Sequence, residues 1–170
     1  MKRRIFIRAL GGVGLAGLTV QAQTQRLGVP RQEVVLTITG RMSHTNRPNA
    51  SVFDMAMLEA LPQQAFTTQT PWQKDPIHFA GPLLRDVLTL VGASGTRIKA
   101  TALNDYQIEI PVEDTQRFDV IVATRMNREP MPVRTRGPLF IVYPFDARAE
   151  LRSVRYYERS IWQLRALHID

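Results

Sequence analysis

The chain has 170 residues, with 22 Lys and Arg against 15 Asp and Glu, and a formal net charge of +7; 44% is hydrophobic and none is cysteine. This composition excludes general disorder, a disulfide scaffold, a zinc ribbon and a thiol nucleophile. One domain of this length buries roughly 70% of its unfolded surface, so packing alone can hold it.

Residues 1–22 read as an export signal. Lys2-Arg3-Arg4 precedes an apolar run from Ala9 to Val20, and Val20-Gln21-Ala22 supplies small residues at a cleavage site. The run is shorter than the ~20 residues a membrane helix needs. Arg3-Arg4-Ile5-Phe6-Ile7-Arg8 resembles the twin-arginine export signal, which implies a periplasmic protein. Without this segment 18 basic and 15 acidic side chains remain, a net charge of +3 and a weak basis for nucleic-acid binding. Gly12-Val13-Gly14-Leu15-Ala16-Gly17 matches the dinucleotide fingerprint in letters only. No strand precedes it, and the signal explains its glycines.

Residues 23–32 are polar, contain Pro30 and read as a linker; residues 33–170 read as one domain. Glu33 to Thr39 alternates around β-branched residues and stops at Gly40, a strand. Ser51 is expected to cap a helix, with Asp54 three positions on and Met55, Leu58 and Leu61 at helical spacing before Pro62. Ala65 to Thr70 reads as a strand running into a Pro71-Trp72 turn. Gly81-Pro82 is expected to open a helix, Pro82 at its first position, with Leu84, Val87, Leu88 and Val91 buried and Gly92 as the stop. Arg97 to Leu103 and Tyr106 to Ile110 read as paired strands around an Asn104-Asp105 turn. Asp119 to Thr124 and Pro138 to Tyr143 suit buried strands, Glu150 to Ser160 a helix, and Trp162 to Ile169 a final strand. Mixed strands and short helices predict a single α+β domain.

The sequence has no G-x-S-x-G elbow, and His44, His78 and His168 lie far apart without metal-ligand spacing. Asp105, Glu109 and Asp146 are candidates for paired acid/base chemistry if they converge, although Glu109 also fits the solvent face of a strand. Arg148, Arg152, Arg155 and Arg159 fall on one helical face, either a partner surface or a solvated face paired with Glu150 and Glu158. Three loop-like segments mix aromatic and polar residues: Thr68 to Trp72, Leu103 to Tyr106, and Tyr143 to Asp146. If they meet, a planar heterocycle can stack on Trp72 or Tyr106 while a carboxylate accepts adjacent N–H groups, as on a pterin. The alternative is that Trp72 and Tyr106 are core or rim packing and Asp105 is a turn former.

Phe66 to Leu88, Ala102 to Ile110 and Ala123 to Asp146 resemble the sulfite-oxidase-type molybdopterin-binding domain. The likeness rests on Phe79-Ala80-Gly81-Pro82-Leu83-Leu84-Arg85-Asp86-Val87-Leu88, on Asn104-Asp105-Tyr106, on Met126-Asn127-Arg128-Glu129-Pro130-Met131-Pro132 and on Arg136-Gly137-Pro138-Leu139-Phe140-Ile141-Val142-Tyr143-Pro144. Catalytic members ligate molybdenum through a cysteine four residues before a tryptophan. Thr68 stands at that position here, and a neutral alcohol is no substitute for a thiolate. The chain is more similar to small exported proteins of this fold that bind a reduced pterin without metal. These report to a membrane-bound diguanylate cyclase or phosphodiesterase. With the pterin and the sensor partner implied by the resemblance, Trp72 and Tyr106 are expected to stack, Asp105 to pair with the amino-pyrimidine edge, and Thr70 and Asp146 to complete the polar rim, with Thr68 and Asn104 also in the ligand set. The alternative is a molybdopterin-dependent oxidoreductase subunit.

Overall fold

A computed structural model describes residues 27–170, so the signal segment and the start of the linker lie outside the described residues. Leu27 packs against the core, and the Arg31 and Gln32 N–H groups donate to Asp54 Oδ2 at 2.7 and 3.1 Å.

Among the described residues, three sheets and four short helices form a mixed α+β domain. The largest sheet has five strands in the order β2-β1-β12-β5-β6, formed by β1 (Val34–Gly40), β2 (Ser51–Asp54), β5 (Arg97–Ala102), β6 (Gln107–Pro111) and β12 (Leu164–Ile169). Only β1 and β12 in this sheet run parallel. Gly40 ends β1 at φ 96°, where any side chain would collide with the backbone of Ile169. The second sheet joins β3 (Gln63–Thr70), β4 (Gln73–Pro82), β8 (Arg125–Met126) and β9 (Glu129–Pro130). The third joins β7 (Ile121–Ala123), β10 (Phe140–Val142) and β11 (Ile161–Trp162). The helices are α1 (Met55–Glu59), α2 (Leu84–Leu90), α3 (Val112–Arg117) and α4 (Val154–Glu158). No helix among the described residues is long and apolar enough to cross a membrane.

The apolar stripes of the sequence become the core. Leu36 and Ile38 of β1, Leu84 and Val87 of α2, Ile98 of β5 and Ile110 of β6 are fully buried, as are Phe79, Phe140, Tyr143 and Phe145. Phe79 and Phe140 meet edge to face at 5.5 Å, tying the second sheet to the third.

Several local expectations are corrected. Ser51 begins a strand rather than capping a helix. Asp54 is the N-cap of α1, its Oδ1 accepting the Met57 N–H at 2.9 Å. Those backbone donors, Met57 first and Arg31 next, hold the Asp54 carboxyl below its ordinary range. Pro82 ends β4, and α2 starts two residues later at Leu84, because strand pairing claims Pro82 opposite Gln63. The strand running into a Pro71-Trp72 turn is present as expected: Thr68 to Thr70 belong to β3, and of the loop-like segment Thr68 to Trp72 only Pro71-Trp72 forms the hairpin tip. Strand β4 and helix α3 lacked a legible period.

The helix read across Glu150 to Ser160 is broken. A single 3-10 turn, Ala149–Leu151, is followed by Arg152 at φ −81°, ψ 62°, and α4 starts at Val154. Arg148, Arg152, Arg155 and Arg159 therefore share no helical face. The Arg148 guanidinium lies over the Phe118 ring at 5.5 Å and 3.7 Å from Glu150, whereas Arg159 pairs with Asp114 at 2.7 Å. The last strand is also interrupted, at Gln163 with φ 53°.

Candidate functional site

The β3–β4 hairpin tip, the β5–β6 turn and the segment from α4 into β11 meet around a cavity of about 390 Å³. Trp72, Ala102, Asn104, Tyr106, Tyr157, Glu158, Ser160, Ile161 and Trp162 line it. The volume lies in the range of small-molecule sites, and four aromatic side chains supply most of its apolar wall. Trp72 is the hub. Its ring meets Trp162 at 5.5 Å and 88°, Phe140 at 5.9 Å, Phe145 at 6.1 Å and Tyr157 at 6.2 Å. Three edge contacts and one tilted contact fix the indole plane without a stacked partner.

The β5–β6 turn is set by its own hydrogen bonds. The Ala102 N–H donates to the Tyr106 carbonyl at 2.9 Å, the Asp105 N–H to the Ala102 carbonyl at 3.1 Å, and the Tyr106 N–H to Asn104 Oδ1 at 3.2 Å. Asp105 takes φ 65°, a left-handed position that Asp tolerates. Asn104 and Tyr106 thereby face the cavity. Asp105 does not line it, and its carboxylate pairs with Arg165.

A second group forms beside the hairpin. Thr68 is 1% exposed, and its hydroxyl oxygen accepts the Asp146 N–H at 3.0 Å. Asp146 Oδ2 in turn accepts the Gln69 N–H at 2.6 Å. Thr70 is buried with its hydroxyl unpartnered. Of the seven ligand-set residues read from the sequence, Trp72, Asn104 and Tyr106 share the cavity; Thr68, Thr70, Asp105 and Asp146 do not line it.

Tyr157, Glu158, Ser160 and Trp162 were not singled out in the sequence as cavity residues. The only available signal was the aromatic spacing of Tyr157 and Trp162, obscured by the arginines around it. Ser160 is engaged elsewhere, donating to the Tyr156 carbonyl at 3.0 Å. A more open chamber of about 580 Å³ adjoins the cavity, sharing Tyr106 and Glu158 and adding Ile108, Glu109, Arg155 and Arg159.

Arg159 anchors the wall between the two. It donates to Asp114 Oδ2, which also accepts the Tyr143 hydroxyl at 2.8 Å. Burial, reinforced by the Asp114 charge, raises the Tyr143 hydroxyl well above its ordinary value. Tyr143 therefore stays a neutral donor.

A family model for the oxidoreductase molybdopterin binding domain matches residues 26–155. The chain belongs to this family. No curated protein matches it. The α+β architecture agrees with a single sulfite-oxidase-type domain, as the sequence resemblance implied.

The molybdopterin-binding domain of this chain fits a flat pterin better than a protein-ligated metal. Its aromatic cavity has a volume in the range of small-molecule sites. At the position expected for a metal thiolate, Thr68 offers an uncharged hydroxyl whose oxygen already receives the Asp146 N–H. That donor chemistry does not suit molybdenum, which binds soft anionic sulfur.

Proposed function

We propose that this chain is an exported pterin-binding protein whose occupancy is relayed to a membrane-bound enzyme that makes or degrades cyclic di-GMP. The observation that carries the binding part is the cavity walled by Trp72, Tyr106, Tyr157 and Trp162 within a molybdopterin-binding family domain. Its aromatic surface suits a conjugated bicyclic ring, and Asn104 supplies a polar group at the rim. The twin-arginine-like start supports export to the periplasm. The relay rests on the resemblance to small exported pterin binders, and no metal takes part in it. Occupancy shifts a partner only through a difference in affinity between the bound and empty forms.

The test is native mass spectrometry with metal analysis on protein purified from the periplasm. A pterin mass at one per chain without stoichiometric molybdenum supports the proposal. One molybdenum per chain overturns it and favours an oxidoreductase subunit. For the relay, cellular cyclic di-GMP should change on deletion of the chain and return with the wild type but not with Trp72→Ala. An unchanged level removes the signalling part.

A further inference from the structure

We infer that Glu158 is the residue that selects the ligand, its carboxylate accepting from the exocyclic amino group and the neighbouring ring N–H of an amino-pyrimidinone edge. The inference deepens the pterin reading above and rests on it. The sequence drew attention to Asp105 for this role, but the geometry points elsewhere.

Glu158 ends α4 and lines both the aromatic cavity and the adjoining chamber. It makes no ion pair among the described residues. The other nearby acids are engaged or displaced. Asp105 pairs with Arg165, Asp146 accepts the Gln69 N–H, Asp114 is held by Tyr143 and Arg159, and Glu109 reaches only the outer chamber. Among the described residues, Glu158 is thus the one acid lining the aromatic cavity.

Its position is fixed from behind. The next residue, Arg159, is clamped to Asp114 at 2.7 Å, so the end of α4 cannot swing freely away from the cavity. Glu158 is solvent-exposed beside the aromatic wall, and its carboxylate presents two oxygens to two parallel donors. An analogue with an oxo group in place of the amino group presents lone pairs to that carboxylate and is rejected.

Titration with dihydropterin and dihydrolumazine, which differ in that one substituent, tests the assignment. Wild-type protein should prefer dihydropterin by roughly 10- to 100-fold, the effect of losing a hydrogen bond to a charged group. Glu158→Gln should weaken dihydropterin by a similar factor and leave dihydrolumazine unchanged or tighter, because the amide donates to an oxo group. Glu109→Gln should keep the wild-type preference. If the wild type prefers dihydropterin and Glu158→Gln keeps that preference, the Glu158 assignment is wrong while the pterin reading stands. If neither compound binds the wild type, the pterin reading itself fails.

Discussion

The backbone N–H of Asp146 donates to the Thr68 hydroxyl across 78 positions of sequence, and the Asp146 carboxylate returns to the neighbouring Gln69 N–H. The pair stitches the end of β3 to the loop after β10. Thr68→Val keeps the shape and removes the acceptor of a part-buried N–H. It should lower unfolding free energy by about 1 kcal/mol, with Thr68→Ser close to wild type. Urea denaturation of the two variants measures the difference. Equal midpoints for both would show that the hydroxyl contributes nothing.

The chain has two tryptophans, and both line the cavity. A conjugated ring entering it should quench nearly all intrinsic tryptophan emission with a single saturating curve. Trp162→Phe should leave a smaller signal that still saturates at a similar concentration. Emission that stays constant while binding is seen by calorimetry would place the ligand elsewhere.

Trp72→Ala removes the ring that meets four other rings. The half-buried site should cost about 3 kcal/mol of stability, at the low end for a large aromatic truncation, and abolish pterin binding. Trp72→Phe should recover most of the stability and part of the binding. Chemical denaturation and ligand titration on the same samples separate the two effects.

Tyr143 and Arg159 converge on one carboxylate oxygen of Asp114. Tyr143→Phe should destabilise by about 2 kcal/mol, since the lost bond is to a charged acceptor. Arg159→Ala should cost about 3 kcal/mol because Asp114 then remains buried without its counter-charge. The raised Tyr143 value has a defined sign. Its contribution is complete below the ordinary tyrosine value of 10.0 and is lost as pH rises toward the higher folded value. In alkaline unfolding curves, the stabilities of wild type and Tyr143→Phe should therefore differ by a constant amount below pH 10 and converge as pH rises above it.

Asp54 has the opposite sign. Its folded value is lowered from 3.8, so its contribution is present above that pH and disappears as pH falls through the lower folded value. Asp54→Asn should flatten the acid limb of the stability curve and lower the melting temperature at neutral pH. Thermal melts across the acid range read both. Parallel acid limbs in the two proteins would exclude the proposed linkage.

The long apolar patterns were legible because burial imposes their period. The strand over Val34–Gly40 and the stripe of Leu84, Val87 and Leu88 follow directly from the order of side chains. Misplaced boundaries had local causes. Ser51 and Pro82 carry good helix-start chemistry, yet sheet pairing with β1 and β3 overrides it. The arginine spacing suggested a continuous helix, but Arg152 leaves helical geometry, and Arg148 and Arg159 find separate partners. For the cavity, residue type pointed to Trp72, Asn104 and Tyr106. The wall from α4 and β11 was hidden because it comes from residues over 50 positions away, brought in by long-range pairing that no local window contains. Asp105 had suitable chemistry, but its left-handed turn aims it toward Arg165 instead.

Strand β12 reaches Ile169 and lies in the middle of the five-stranded sheet, flanked by β1 on one side and β5 on the other. During synthesis the two halves of that sheet have nothing between them until Leu164–Ile169 has been made. A chain cut before β12 would carry two open sheet edges, a substrate for proteases rather than a weakened binder.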